Sequence, residues 1–320
     1  MKNKKVLLTG AGGFIGSHLA RRLIDEDAEV HILIKKDSDR FRVQDISNRV
    51  ILWDGDILDY QSICACIRAA RPQIIFHLAA LLNVARDPAL IEPMLEINVN
   101  GTLNLLRSVM EEEIALESFV NTGSAEEYGN GPVPFVEDQR EMPVSPYSAS
   151  KVAVTHFCQM LHRGIGLPVV TLRPFLVFGP SQDDGMFIPS LIRHCLGGRD
   201  FPMTEGNQTR EFTYVEDIVA AYILAAQCPR AAGEVVNIGS GVEYKIRDVA
   251  ERIVNKMGSP IRLLIGALPK RPGETEHFFC SNKKAKELLG WSPKVALDEG
   301  LERTIKWYRG NAAEFRSEVE

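Results

Sequence analysis

Short apolar runs alternate with amphipathic stretches along the first half of the chain. We interpret the apolar runs as strands, at 6–9, 30–34, 50–52, 74–78 and 118–121. Between them lie stretches with apolar residues at helical spacing, at 16–24, 59–70 and 97–113. Strands that are apolar throughout and alternate with helices are typical of a parallel sheet covered by helices on both faces.

The second half of the chain contains more loops, but apolar runs recur at 169–172 and 234–238. Further helical patterns lie near 186–196, 215–227, 246–257 and 281–289. We expect the two later strands to return to the first sheet, so that a second domain would be discontinuous. The expected division is a sheet domain of residues 1–178 and 211–243, with a smaller C-terminal α/β domain of residues 179–210 and 244–320.

A glycine-rich loop separates the first predicted strand from the first predicted helix. It reads Thr9-Gly10-Ala11-Gly12-Gly13-Phe14-Ile15-Gly16. Its glycines permit a tight turn, a close approach of the backbone to a pyrophosphate and close packing of helix against strand. The helix that follows presents free N–H groups and its positive dipole end to phosphates. The loop therefore predicts an α/β Rossmann fold, a doubly wound parallel sheet that binds a dinucleotide.

Composition narrows the possible partners and compartment. The chain is 45% hydrophobic, and its 37 Lys and Arg against 42 Asp and Glu leave a net charge of −5, which argues against nucleic acid. No apolar run approaches the ~20 residues that span a bilayer, and none follows the N-terminal lysines as a signal peptide would. The six cysteines are scattered without metal-ligand spacing, which predicts no metal site and a reducing cytoplasmic location.

A tyrosine and a lysine lie four residues apart in a further predicted helix, and they are candidates for proton transfer. Tyr147 and Lys151 follow Ser145-Pro146, a favourable helix start, and share one helical face. A free phenol has a pKa of ~10, and a neighbouring ammonium group lowers it towards the working range. Ser124 stands at a strand end about 20 residues earlier, and it completes a Ser–Tyr–Lys set.

The Gly-x-x-Gly-x-x-Gly spacing and this Ser–Tyr–Lys order resemble the extended branch of the short-chain dehydrogenase/reductase superfamily. That branch comprises nucleotide-sugar epimerases, dehydratases and 4-keto reductases, and the resemblance covers about residues 4–310. It implies an enzyme that moves hydride at sugar C4, with Tyr147 as acid/base and Ser124 orienting the sugar oxygen. Lys151 would also hold the nicotinamide ribose. It further implies a homodimer through the helices near 97–113 and 147–163, although a buried core would explain their apolar stripes equally well.

The resemblance also implies which residues contact the cofactor. In the glycine loop and beyond they are Gly10, Gly13, Phe14, Ile15, Gly16, Asp56, Ile57, Leu78, Ala79, Ala80, Tyr147 and Lys151. The acid that binds the adenosine ribose in NAD-preferring proteins is replaced by Ile34, which cannot accept a hydrogen bond. Nearby cations favour the 2′-phosphate of NADP, namely Lys35, Lys36 and Arg40. NAD remains the alternative if the loop brings Asp37 to the ribose.

Two arginines indicate a nucleoside-diphosphate sugar as substrate. Arg210 and Arg271 match the phosphate-binding arginines of the family, and planar guanidinium groups pair well with a pyrophosphate. Leu176 stands where the family often has Asn in contact with the diphosphate, which puts ordinary UDP-sugar contacts in doubt.

Glu126 bears on the reaction. Dehydratases of the family place a glutamate there to remove the C5 proton, whereas 4-epimerases usually have a small residue or threonine. The pair Glu126-Glu127 before Tyr-Gly resembles GDP-4-keto-6-deoxymannose reductases. We therefore expect a 4-keto-6-deoxyhexose reductase, with a 4-epimerase or a 4,6-dehydratase using Glu126 as alternatives. A non-catalytic dinucleotide-binding regulator is a further alternative, against which the intact Ser–Tyr–Lys set argues.

Overall fold

A computed structural model of the protein describes residues 1–270 and 273–311. Its strands are β1 (Lys5–Thr9), β2 (Glu29–Ile34), β3 (Ile51–Asp54), β4 (Ile74–His77), β5 (Ser118–Thr122), β6 (Val169–Pro174), β7 (Val177–Phe178), β8 (Phe201–Met203), β9 (Thr209–Glu211), β10 (Thr213–Tyr214), β11 (Val235–Ile238), β12 (Glu243–Lys245) and β13 (Leu263–Ile265). Its α-helices are α1 (Phe14–Asp25), α2 (Tyr60–Ala70), α3 (Ile91–Met94), α4 (Gly101–Glu111), α5 (Pro146–Ile165), α6 (Phe187–Leu196), α7 (Val215–Ala226), α8 (Ile246–Met257), α9 (Lys283–Leu289) and α10 (Leu297–Gly310).

The centre of the described structure is a seven-stranded sheet in the order β11-β6-β5-β4-β1-β2-β3. Every neighbouring pair in it is parallel. The chain winds outwards in both directions from the β1/β4 junction, and in open α/β sheets ligands bind beyond the carboxyl ends of the strands at such a junction. The predicted Rossmann fold is confirmed, and β6 and β11 return to the first sheet as expected.

Successive side chains of β1 point alternately into two hydrophobic cores, one on each face of the sheet. Val6 and Leu8 face one side of the sheet, where the buried residues of α1 and α7 pack. Leu7 faces the other side and packs with buried residues of α2, α4 and α5. Because successive side chains of a strand point to opposite faces, a strand buried on both sides is apolar throughout. This explains why these strands appear as continuous apolar runs in the sequence.

A separate core lies in the C-terminal part of the chain, where α6, α8 and α10 pack on the short strands β8 and β10. The α10 helix has no counterpart among the sequence predictions. The expected domain boundaries at 210/211 and 243/244 fall within β9 and β12, which pair antiparallel with each other. The division into two domains at these residues stays a prediction.

The helix predicted over 97–113 is not α-helical throughout. Residues Leu95–Asn100 form a π-helical segment between α3 and α4, and α4 ends at Glu111. The Asn98 side chain bonds both backbone polar groups of Leu81, at 2.7 and 3.1 Å, and donates to the Ser150 hydroxyl at 2.9 Å. The π-helical segment thus places Asn98 between α5 and the segment that follows β4. π-Bulges inside α-helices are frequent at functional sites.

The backbone of the glycine loop packs so closely against its neighbours that side chains at two of its positions would collide with them. A Cβ on Gly16 would lie 2.1 Å from the Gly10 carbonyl oxygen, and a Cβ on Gly10 would lie 2.5 Å from the Ala79 backbone nitrogen. Gly10 also has a φ of +75°, in the left-handed region that favours glycine. Side chains at these positions would push α1 and the segment after β4 away from β1.

No helix within residues 1–270 and 273–311 is both long enough and apolar enough to cross a membrane.

We predict that Gly16→Ala destabilises the protein by about 1–3 kcal/mol, because the added methyl group meets rigid backbone. The matched control is Gly164→Ala, at an exposed position within α5 where an added Cβ meets nothing within 4 Å. Alanine there should raise the stability by up to ~1 kcal/mol, through helix propensity. Urea unfolding measures both changes, and equal stability of the two variants would contradict the packing described here.

Candidate active site

A cavity of about 450 Å³ opens at the carboxyl ends of β1, β2 and β4. Eight of the predicted cofactor residues line it, namely Gly10, Gly13, Lys35, Asp56, Ile57, Leu78, Ala79 and Ala80. Lining residues that sequence reasoning did not assign include Gly12, Ser38, Asp39, Gly55 and Leu81. A volume of this size is within the range of cofactor pockets.

The backbone of the glycine loop forms one wall of the cavity. The Gly13 amide donates to the Gly10 carbonyl at 3.1 Å, and α1 begins at Phe14 without a side-chain cap at Gly13. Uncapped N–H groups of a first helical turn attract phosphate oxygens. These residues fit a dinucleotide diphosphate, because glycines without side chains let a phosphate approach the backbone closely. Phe14, Ile15 and Gly16 form the first turn of α1 behind it.

A buried histidine joins the strands beneath the cavity. His77 Nδ1 lies 2.7 Å from the Thr9 hydroxyl and His77 Nε2 lies 2.8 Å from the Thr102 hydroxyl. Because Thr102 donates its proton to the Asn98 carbonyl at 2.6 Å, Nε2 carries the imidazole proton and Thr9 donates to Nδ1. Burial and, to a smaller extent, the charge of Lys151 lower the pKa of His77 to about 3. The neutral ring therefore ties β1 and β4 to α4.

The adenosine-ribose end of the cavity has an apolar residue where an acid is usual. Ile34 is buried at the end of β2. Lys35 lines the cavity and pairs with the carboxylate of Asp56 at 3.1 Å. Arg40 pairs with Asp54. Lys36 is exposed, as is Asp37. The predicted cations are thus near this end, and two of them are already engaged by carboxylates.

Ser124 begins a short 3₁₀ turn just beyond β5. Its hydroxyl accepts from the Glu126 amide at 3.1 Å, and its amide donates to the Glu127 carboxylate at 2.8 Å. This reciprocal arrangement is a capping box, which fixes both ends of the turn. The turn Ala125–Tyr128 therefore holds Ser124 in a defined position at the carboxyl edge of the sheet.

The structure brings Tyr147 and Lys151 to the same edge, on one face of α5. Lys151 Nζ donates to the Thr122 carbonyl at 2.8 Å and lies 5.8 Å from the centroid of the Tyr147 ring. Burial raises the pKa of Tyr147, and a hydrogen bond with Ser124 opposes this. Burial lowers the pKa of Lys151 to about 8, and the negative charge of Glu127 opposes this. The predicted Ser–Tyr–Lys set is therefore assembled in one buried cluster.

Glu126 stands between this cluster and two arginines. Its side chain is half-buried, and burial raises its pKa while Arg210 and Arg86 lower it. Arg210 donates to the backbone carbonyls of Thr209 and Thr275, at 2.7 and 3.0 Å, and pairs with Glu274 at 3.1 Å.

Arg86 was not identified from the sequence, although it follows the cofactor segment Leu78–Ala80 by only a few residues. Its guanidinium donates to the Gly273 carbonyl at 2.8 Å, which joins the segment after β4 to the C-terminal part of the chain. The second predicted phosphate arginine, Arg271, lies outside the described residues.

Glu127 was assigned no role of its own from the sequence, yet its side chain is wholly buried. It forms an ion pair with Arg173 of β6, also wholly buried, at 2.6 Å. Arg173 is the residue from which a buried acidic partner could have been predicted, because a charged side chain in a buried strand requires one.

Among the described residues, no group of three or more His, Cys, Asp or Glu is arranged to hold a metal ion. The six cysteines are free thiols.

A doubly wound parallel sheet, a glycine cradle at its central junction and a Ser–Tyr–Lys cluster define an NAD(P)-dependent enzyme of the short-chain dehydrogenase/reductase type. The family model described as GDP-mannose 4,6 dehydratase matches residues 7–304. The chain therefore belongs to this family, within the extended branch of nucleotide-sugar epimerases and dehydratases. Membership of this family of enzymes argues against the non-catalytic regulator.

Relatives of the chain catalyse different reactions. It is 30% identical over 321 residues to a UDP-glucose 4-epimerase of Mycolicibacterium smegmatis, covering 96% of this chain and 99% of that one. It is 32% identical over 325 residues to a UDP-N-acetyl-alpha-D-glucosaminuronate decarboxylase of Bacillus cytotoxicus, covering 96% and 98%. A dTDP-glucose 4,6-dehydratase of Streptomyces venezuelae, solved with NAD bound, superposes with a TM-score of 0.86 at 28% identity, covering 97% and 98%.

Proposed function

We propose that the protein reduces the 4-keto group of a nucleoside-diphosphate 6-deoxyhexose. Glu126 is the observation that carries this choice among the reactions of the family. Its backbone amide donates to the Ser124 hydroxyl, and its carboxyl group is within the electrostatic influence of Arg210 and Arg86 and acts on Tyr147, where the sugar would lie. Reduction requires no acid or base besides Tyr147, so Glu126 is free to contact the sugar hydroxyl groups.

The other reactions of the family place different demands on the same position. Dehydration needs a base at C5 and an acid for the departing hydroxyl group. Glu126 could be the base, but its neighbour Ala125 is buried and apolar and cannot supply the acid. Epimerisation requires the 4-keto sugar to rotate so that its opposite face meets the nicotinamide. A glutamate side chain takes up more of the space for this rotation than a small residue or threonine would. The 4-epimerase remains the second candidate because of the similarity to the Mycolicibacterium smegmatis enzyme.

The proposed chemistry uses the assembled cluster. When bound, the reduced nicotinamide supplies the hydride to sugar C4. The Ser124 hydroxyl orients the C4 oxygen, and Tyr147 donates its proton to that oxygen, so that the ketone becomes an alcohol. The ammonium of Lys151 stabilises the phenolate left on Tyr147. We assign Arg210 to the substrate diphosphate, held in place by Glu274 and two backbone carbonyls, and Arg271 stays a prediction as its companion.

Purified protein tested with NADPH, NADH and a panel of nucleotide sugars and 4-keto sugars distinguishes the reactions. We predict net cofactor oxidation with a 4-keto-6-deoxy sugar. In Tyr147→Phe the turnover rate should fall by roughly 100-fold or more, because the proton donor is lost, while cofactor binding is retained. Isomer formation without net cofactor consumption would replace the reductase with the epimerase. A 4-keto-6-deoxy product from a plain hexose would replace it with the dehydratase, and near-normal turnover of Tyr147→Phe would refute the role of Tyr147.

We also propose that NADP is the preferred cofactor. Ile34 offers no carboxylate to repel a 2′-phosphate, and Lys35 lines the cavity at the same end. NAD is the competing cofactor, supported by the NAD-containing structure of the Streptomyces venezuelae dehydratase.

We predict that Lys35→Ala weakens NADPH binding about tenfold and leaves NADH binding nearly unchanged, because only NADPH would lose a charge-assisted hydrogen bond. Quenching of tryptophan fluorescence measures both dissociation constants. Lys283→Ala, in which an exposed lysine of α9 is removed, is the control for net charge. Equal weakening of both cofactors in Lys35→Ala would refute Lys35 as the basis of the preference.

We propose that the protein is a homodimer through α4 and α5. Large apolar side chains are exposed along them, with Met160 and Phe157 of α5 47% and 38% exposed and Met110 of α4 37% exposed. Exposed apolar patches of this kind mark interaction surfaces.

Sedimentation is predicted to give a dimer for the protein and a monomer for Met160→Glu, because a charge at a packed interface cannot be solvated. Leu196→Glu, on the exposed side of α6, should remain dimeric. A monomer before any substitution would refute the dimer.

A further inference from the structure

We propose that Glu127 is a positioning residue of the reaction centre, which ties the Ser124 turn to the Tyr147–Lys151 face of α5 and holds a negative charge beside Lys151. The inference rests on the proposed hydride-transfer function, in which Ser124, Tyr147 and Lys151 act on the substrate. Glu127 is given no role by that function, yet it is the residue of the Glu126-Glu127 pair that is wholly buried.

The hydrogen bonds of Glu127 identify its side chain as an ionised carboxylate. One oxygen accepts from the Ser124 amide at 2.8 Å. The other accepts from the Thr155 hydroxyl at 2.9 Å and from Nε and Nη2 of Arg173 at 2.9 and 2.6 Å. A carboxylate is an acceptor only, and all four of these contacts come from donors.

Thr155 makes this network part of the catalytic face. Tyr147, Lys151 and Thr155 are spaced four apart on α5, so they form one stripe along the helix. Glu127 therefore bonds both the backbone of Ser124 and the last residue of the stripe that carries the acid/base pair. The turn and the helix are held together through a single carboxylate.

Arg173 anchors the carboxylate to the sheet. It is also wholly buried and pairs with Glu141 at 2.7 Å as well as with Glu127, and its guanidinium lies 4.6 Å from the centroid of the Tyr128 ring. Such a buried pair costs desolvation free energy and is retained where charge or geometry is needed.

The charge of Glu127 acts on Lys151. Burial disfavours the ammonium form and lowers its pKa, the charge of Glu127 raises it, and the net pKa of Lys151 is about 8. The other titratable or charged groups facing this cluster are Tyr147 and Cys158 on α5, Glu126 on the 3₁₀ turn, His77 on β4, Arg173 on β6 and Glu141 beyond it. Loss of the Glu127 charge would leave Lys151 less protonated near neutral pH.

The test is a titration of Lys151 in the cofactor-free protein, by NMR of protein labelled with ¹³C at the lysine side chains. The Lys151 resonance is assigned by its loss in Lys151→Arg. We expect a midpoint near pH 8 in the unchanged protein, and a decrease of roughly one pH unit in Glu127→Gln, since a nearby opposite charge shifts a pKa by at least that much. Glu141→Gln is the matched control, because it removes a carboxylate from the same arginine and should leave the midpoint in place.

A Lys151 midpoint in Glu127→Gln equal to that in Glu141→Gln would overturn the proposal. If Glu127→Gln fails to fold, Glu127→Gln combined with Arg173→Met removes both buried charges at similar volume. A smaller decrease in the same direction is expected, because loss of the guanidinium charge partly offsets loss of the carboxylate. In the reductase assay, the alkaline limb of kcat/KM should move to lower pH in Glu127→Gln, whereas a lower rate with an unmoved limb would count as a structural effect and overturn it. Absence of turnover on every sugar would refute the proposed function and leave the Lys151 titration to decide on Glu127.

Discussion

The parallel alignment of the central strands is the constraint on which the site depends. Because β1, β4 and β5 run in the same direction, the residues that follow them meet at one edge of the sheet. The glycine loop follows β1, Leu78–Ala80 follows β4 and Ser124 follows β5. Lys151 then bonds the carbonyl of Thr122, the last residue of β5, which fixes α5 against the same edge.

Two buried titratable sites at this edge avoid an uncompensated charge in different ways. His77 stays neutral between two threonine hydroxyl groups, whereas Glu127 and Arg173 are charged and satisfy each other. An uncompensated charge at such depth would cost several kcal/mol. The pairing of Glu127 with Arg173 also connects the turn beyond β5 to β6, which comes from the second half of the chain. The reaction centre and the return of the chain to the sheet are therefore linked by one ion pair.

Much of the fold was predictable because its strands are apolar on both faces and its glycine loop has a fixed context. Ser124, Tyr147 and Lys151 could be grouped because parallel strands and a following helix determine where they meet. The burial of Glu127 was not predictable, because its partner Arg173 is 46 residues away and a pair of glutamates in a loop resembles a solvated surface. Arg86 was missed for a related reason, since its contact with Gly273 depends on how the C-terminal part of the chain packs. The π-helical segment at Leu95–Asn100 preserves the apolar spacing of a helix, so hydrophobic periodicity alone does not reveal it.

In the proposed function, the cluster at the carboxyl edge directs hydride between a nicotinamide and sugar C4. Transfer of deuterium from NADPH that carries deuterium at both C4 positions of the nicotinamide to a 4-keto-6-deoxy nucleotide sugar tests this proposal most directly, with the product analysed by NMR and mass spectrometry. We expect one deuterium per product molecule, bound at C4 of the sugar. A reduced product without deuterium, or with deuterium at C5 or C6, would contradict the claim.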